Sequence, residues 1–201
     1  MVMEKRYGVT RTEGEPNWDA IPREQAACAC WGTTYTPETI FQCAYTPGKA
    51  LYIRMECREA DPTVRCREQD GPVWKDSCME AFLAADRQGS YMNLECNSAG
   101  APLCCVGEGR HNRLRLAESG LPRPVLRSRV NKAWWEACLE IPAETLKGLW
   151  NLELAPGGVL YANFYKCGDD TPQPHFISWS PIDLPKPDFH APQFFGALEL
   201  L

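Results

Sequence analysis

Along much of this chain apolar and polar residues alternate one for one. In ALYIRMECRE, Leu51, Ile53, Met55 and Cys57 fall on one side of an extended backbone, and Tyr52, Arg54, Glu56 and Arg58 fall on the other. That is the pattern of a half-buried strand. The same period-two reading holds in KRYGVTRT, ETIFQCAY, SCMEAFLA, SYMNLECN, PLCCVGEG, PVLRSRV, WWEACLEIP and GVLYANFYKC. Between them lie TPGKA, EQDGP, DRQGS and APGG, whose Gly, Pro and Asp residues favour turns. Only PAETLKGL has helical spacing, with Pro142 suited to its first turn. Many short strands with punctuated turns predict an all-β fold, an antiparallel β-sandwich of jelly-roll type with one short helix, residues 1–201 forming a single domain.

The C-terminal third breaks the alternation. From Asn163 to Gly196 the chain reads NFYKCGDDTPQPHFISWSPIDLPKPDFHAPQFFG, crowded with aromatics and prolines and almost free of aliphatic residues. Proline lacks a backbone donor and restricts the residue before it, so a helix is excluded and a long, ordered loop region is expected. Rings this dense either pack on a rigid scaffold or face a ligand.

Composition narrows the setting. The chain is 44% hydrophobic and 23% charged, with a net charge of -5. It has no apolar run of about 18 residues that would span a membrane. MVMEKRYGVTRTEGE has no signal-peptide core, so the expected location is the cytoplasm, with secretion the alternative if the N-terminus is incomplete. LPRPVLRSRV is locally basic, but the overall charge makes nucleic acid an unexpected partner. The 11 cysteines are an odd number, and several, such as Cys57 and Cys96, occupy core positions of strands, where a thiol serves as a small hydrophobe. Cys28 with Cys30, or Cys104 with Cys105, could join Cys167 and His175 around zinc; neither pair has the separation of a zinc knuckle, and no cofactor or metal is expected.

Two neighbouring segments carry the candidate chemistry. In SYMNLECN, Met92, Leu94 and Cys96 face the core and leave Tyr91, Asn93, Glu95 and Asn97 in a row on the other face. In SCMEAFLA, Met79, Ala81 and Leu83 form one face and Cys78, Glu80 and Phe82 the other. A hairpin through DRQGS would place Glu80 beside Glu95 and Asn93. Carboxylates and amides suit the paired donors and acceptors of sugar hydroxyls, and the C–H faces of a pyranose stack on indole rings. Trp74 and Trp179 are the candidate rings. The alternative is that both tryptophans plug the core and the polar row is a solvated sheet face.

The segments VWKDSCMEAFL, YMNLECN, NFYKCGD, PHFISW and PDFHAPQFFG resemble bacterial proteins whose domain is similar to family 9 carbohydrate-binding modules, in the DOMON-like group of β-sandwiches. The resemblance covers nearly the whole chain in order. It implies a jelly roll that binds a sugar between two tryptophans, with Trp74 one wall, Glu80 a hydroxyl acceptor, Asn93, Glu95 and Asn97 the polar strand, and Trp179 the second wall. It also allows structural calcium, for which Asp169, Asp170 and Asp188 are the candidates.

Two other functional classes compete. A glycoside-processing enzyme would use Glu80 and Glu95 as a carboxylate pair. A structural or interaction domain would use its aromatic run only to seal the sandwich. Neither GxSxG nor HExxH occurs. Haem is not expected, because Met92 points coreward by alternation. His175 and His190, flanked by Pro and aromatic residues, are read as pins that hold their loops by hydrogen bonds to backbone.

Overall fold

The computed structural model describes residues 4–201. In chain order the strands are β1 (Arg6–Arg11), β2 (Glu24–Gln25), β3 (Cys28–Ala29), β4 (Thr39–Thr46), β5 (Ala50–Cys57), β6 (Cys78–Ala84) and β7 (Tyr91–Asn97). They continue with β8 (Pro102–Gly107), β9 (Leu114–Arg115), β10 (Val125–Val130), β11 (Trp135–Pro142), β12 (Val159–Gly168), β13 (His175–Ser178) and β14 (Gly196–Leu200). The helix predicted in PAETLKGL is α1 (Ala143–Trp150). Pro142 immediately precedes it, and Asn151, at φ 54°, ends it by donating its N–H to the Lys147 carbonyl. Among the described residues no helix is long and apolar enough to cross a membrane.

The strands form one curled sheet with the order β10-β11-β5-β4-β1-β14-β12-β6-β7-β8-β9. β2 lies on β4, β13 on β12, and β3 on β13. β1 is the hinge of the curl. Its first four residues, Arg6–Val9, pair with β14 and its last two with β4, and both pairings are parallel. The expected wholly antiparallel jelly-roll sandwich is therefore corrected to a mixed sheet, because a strand brought in from the chain start fills the gap between two otherwise antiparallel limbs. Alternation carries no trace of this, since parallel and antiparallel partners impose the same period of two.

The limbs enclose one core. Phe41, Ile53 and Met55 come from one limb, and Met79, Leu83, Met92, Leu94 and Phe164 from the other. Ile53, Met55, Met79, Leu83, Met92 and Leu94 are inward positions that alternation assigned. Phe41 and Phe164 stack across the core with centroids 3.8 Å apart, and Trp179 meets Phe41 edge-on at 5.2 Å. Gly196 makes room for that indole: a Cβ there would stand 2.5 Å from the Trp179 ring. The DRQGS turn joins β6 to β7 as anticipated, with Asp86 Oδ1 accepting from the N–H groups of Gln88 and Gly89.

The aromatic run is less irregular than its prolines suggested. It opens with the end of β12, forms β13, and then crosses the outward face of the β12–β6–β7 limb before β14. There Phe189 stacks on Tyr165 at 4.0 Å, and Phe195 packs edge-on to Tyr91 at 5.9 Å. The result is a second apolar layer outside the sheet, with an opening in it.

Candidate functional site

That opening is a cleft of about 530 Å³. Its floor is the outward face of the β6–β7 hairpin, where Glu80 stands directly opposite Glu95, and Phe82 opposite Asn93. Trp74 forms part of the wall. It lies in a 3₁₀ turn, Val73–Lys75, and remains 36% exposed. Trp31 and Phe176 line the same cleft in edge-to-face contact, 5.8 Å apart, and Phe189 lies 5.6 Å from Trp31. The Trp31 indole N–H is used up on the Leu184 carbonyl, so only its ring is available to a ligand.

The floor is polar, buried and incompletely paired. Asn93 donates its amide to Glu95 Oε1 at 2.8 Å, which leaves Glu95 Oε2 buried with no partner. The Cys167 thiol on β12 donates to Glu80 Oε1 at 3.0 Å. Among the described residues neither glutamate has a salt bridge. Burial pushes the Glu95 carboxyl up to about 7, against the opposing pull of the Asn93 amide. Burial, then the neighbouring Cys167 and Glu95, hold Glu80 well above the ordinary carboxylate range. The floor thus holds a carboxyl pushed toward its protonated form, which donates, beside a carboxyl oxygen with no partner, which accepts.

Arg113, just before β9, positions this floor. Its Nε and Nη2 both donate to Asn93 Oδ1, at 3.0 and 2.8 Å, and so aim the Asn93 amide at Glu95. The rest of the guanidinium is consumed by the carbonyls of Gly107, Gly109 and Tyr91. Its plane also covers the Tyr91 ring at 4.1 Å. His190 completes the rim. Gly109 O can only accept, so the Tyr91 hydroxyl donates to it, and His190 Nδ1–H donates to Tyr91. Burial lowers the His190 imidazole to about 4, so it is neutral.

The structure brings together Trp74, Glu80, Asn93 and Glu95 from the predicted set. It separates the other three. Trp179 is fully buried in the core between the limbs, so its assignment as the second aromatic wall is corrected. Tyr91 is on the expected face, but its ring lies beneath Arg113 and against Phe82. Asn97 also keeps the expected face yet acts behind the wall. Its amide donates to Asp76 Oδ2 and to the Cys66 carbonyl, while Asp76 Oδ2 accepts from the N–H groups of Arg65 and Cys66. Those bonds fix the segment leading into the Trp74 turn. A second clamp comes from just beyond β12, where the N–H groups of Asp169 and Asp170 donate to the carbonyls of Trp74 and Lys75.

The candidate zinc and calcium sets weighed from the sequence do not assemble among the described residues. His175 donates Nδ1–H to the Gln173 carbonyl, and its Nε2 accepts from the buried Lys166 ammonium. Asp170 pairs with Lys75, and Asp188 accepts the His190 N–H beside Arg110. Sequence reasoning missed Trp31, Phe176 and Arg113. PHFISW did hold Phe176, but the more conspicuous Trp179 drew the assignment. Nothing local marks Trp31, which reaches the cleft through the β3–β13 pairing distant in sequence, or Arg113, which turns in from the loop between β8 and β9.

The family model for carbohydrate-binding family 9 matches residues 18–200. A candidate carbohydrate-binding protein from Bacteroides uniformis is 27% identical, with a TM-score of 0.83 over 99% of this chain and 100% of that one. Two structures of a family 9 module from Caldicellulosiruptor kristjanssonii, one with glucose and one with cellotriose, share the fold. The glucose complex is 14% identical with a TM-score of 0.71, covering 98% of this chain and 96% of that one. The cellotriose complex is 15% identical with a TM-score of 0.70, covering 98% and 93%. No curated protein matches the chain significantly.

Proposed function

The chain belongs to carbohydrate-binding family 9, a family of non-catalytic modules, and from that premise we propose that the cleft over the β6–β7 hairpin holds a sugar ring. Trp74 forms one stacking wall, and the Trp31–Phe176 pair forms the other. Glu80, Asn93 and Glu95 take the hydroxyls from below. The observation that carries this reading is the orphaned Glu95 Oε2 in a cleft that an exposed indole also lines. A buried carboxylate oxygen without a partner costs about 1–3 kcal/mol or more, a cost that a ligand hydroxyl removes on binding. An indole left exposed in the same cleft has apolar area to bury against a pyranose face.

The carboxylate pair belongs to this binding floor. Hydrolysis needs one carboxyl on each side of the scissile bond. Glu80 and Glu95 are direct cross-strand neighbours on one floor, so both approach a ligand from the same side. Glucose-configured ligands are the first to try, since the Caldicellulosiruptor modules were solved with glucose and cellotriose. A glycan array probed with the purified chain tests the proposal. Binding to a defined subset, weakened in both Trp74→Ala and Trp31→Ala, supports it. Retention of that binding in both variants would place the sugar elsewhere.

A cytoplasmic setting is part of the same proposal. Seven of the eleven cysteines are buried as free thiols, which suits a reducing compartment. Thiol titration of the denatured protein without reductant should count most of them; finding only one or two would argue for an oxidising compartment.

A further inference from the structure

Beneath the cleft, Cys78 and Glu80 lie two residues apart on the same face of β6, and Cys167 of β12 is the direct cross-strand partner of Cys78. All three are buried, and their ligand atoms lie within 4.8 Å of one another. We infer that Cys78, Cys167 and Glu80 form a binding site for a thiophilic divalent cation, zinc by the chemistry of its donors, with the fourth coordination position open to the cleft.

Three features carry this beyond mere proximity. The first is the donor set. Two thiolates and one carboxylate, with a position left for water or another oxygen, match zinc's preference for four mixed sulfur and oxygen ligands. Zinc–sulfur bonds of about 2.3 Å give tetrahedral edges of roughly 3.8 Å, so the side chains need to close by about 1 Å at most. The second is the mounting. The ligands project from neighbouring positions on two paired central strands, where a site is held more firmly than on loops. Glu80 and Cys167 also line the cleft, which gives an ion its entry path.

The third is the charge around the trio. Among the described residues Glu80 and its cross-strand neighbour Glu95 have no salt bridge, and Glu95 Oε2 has no partner at all. Arg113 spends its donors on Asn93 and backbone carbonyls, and the Lys166 ammonium, which donates to the Cys167 carbonyl at 3.0 Å, pairs with Glu59. The trio therefore offers groups that bind a cation when deprotonated, and no cation of the described residues is paired with its carboxylate. On zinc binding the Cys78 and Cys167 thiols and any protonated Glu80 carboxyl release their protons to solvent, and the metal takes both thiolates and the carboxylate. No electron moves, and Glu80 exchanges the thiol hydrogen bond for the metal. This inference does not depend on a sugar occupying the cleft above.

The test uses the reduced full chain with zinc chloride alone. Competition against a chromophoric chelator should give one tight site per chain, lost in Cys78→Ser and in Cys167→Ser, weakened in Glu80→Gln, and retained in Cys66→Ser. X-ray absorption at the zinc edge should show two sulfur ligands near 2.3 Å with oxygen filling the remainder. Should the two serine variants fail to fold, the wild-type ligand shell decides on its own. A shell with no sulfur, a four-sulfur shell, or no zinc uptake by the reduced protein would overturn the site. So would zinc retained undiminished in folded Cys78→Ser and Cys167→Ser.

Discussion

Each limb of the sheet carries a glutamate directly opposite another glutamate, and the two pairs are treated in opposite ways. On the β5–β11 limb Glu56 faces Glu136, and Arg54 sits between them, donating to Glu56 Oε2 and Glu136 Oε2 at 2.8 Å each and to Gln42 Oε1 at 2.9 Å. Arg129 adds a further pair to Glu136 Oε1. Gln42 in turn donates to the carbonyls of Trp18 and Ile21, so the network closes on itself. On the β6–β7 limb Glu80 faces Glu95 with an amide, a thiol and one unpartnered oxygen for company. Like charges directly opposite in a sheet are unfavourable unless something lies between them. The first limb supplies that group from the chain; the second leaves the place to a proton, a sugar or a metal ion.

The largest expected effects fall where the chain packs or pairs against itself. Trp179→Ala removes a fully buried indole that plugs the core against Phe41, Phe164 and Gly196, and should lower stability by about 3–5 kcal/mol in urea unfolding. A loss below about 1 kcal/mol would mean that this ring is free to serve the cleft after all. Arg54→Met leaves Glu136 buried with only the outlying Arg129, and should cost about 2–3 kcal/mol, somewhat less than complete loss of a buried partner.

Glu95→Gln should act in the reverse direction. The Glu95 carboxyl is raised from 4.5 to about 7 in the folded protein, so between those pH values the folded state holds the proton more tightly than the unfolded chain. Stability contributed by that proton is present below about pH 4.5 and is lost as pH rises through 7. The Gln variant lacks this loss, so at pH 8 it should unfold at higher urea than the wild type, by on the order of 1–3 kcal/mol. At pH 4 the two should converge. A variant less stable than the wild type at pH 8 would show that the carboxylate is compensated within the chain, erasing the contrast between the limbs. The smallest effect is expected for Trp74→Ala, within about 0.5 kcal/mol, because its ring faces the cleft and fills no core position.

The sequence revealed the strands better than it revealed their pairing. Alternation placed Met79, Ala81 and Leu83 inward and Glu80 outward on β6, and did the same for β7, because each strand is buried differently on its two faces. The hairpin turn then set Glu80 against Glu95, which made the floor of the cleft legible. The walls were only half so. Trp74 follows from its place beside β6, whereas the opposite wall depends on β3 and β13 pairing across about 150 residues of chain, and no local pattern records that. Trp179 misled because an indole in a Pro-rich run looks the same whether the sheet beneath it is open or closed. Tyr91 and Asn97 were read on the correct face, but facing outward did not expose them, since Arg113 and the loop before Trp74 cover that face at both ends of β7.

Calorimetric titration with cellotriose and with glucose, on the wild type and on Trp74→Ala matched for thermal midpoint, tests most directly whether the uncompensated floor and its indole wall form a sugar site. The account predicts saturable heat for at least one of the two sugars with the wild type, and its loss in Trp74→Ala, whose melt is unchanged. Equal binding by the two proteins would contradict it, and so would a wild type that binds neither of these sugars nor any glycan on an array.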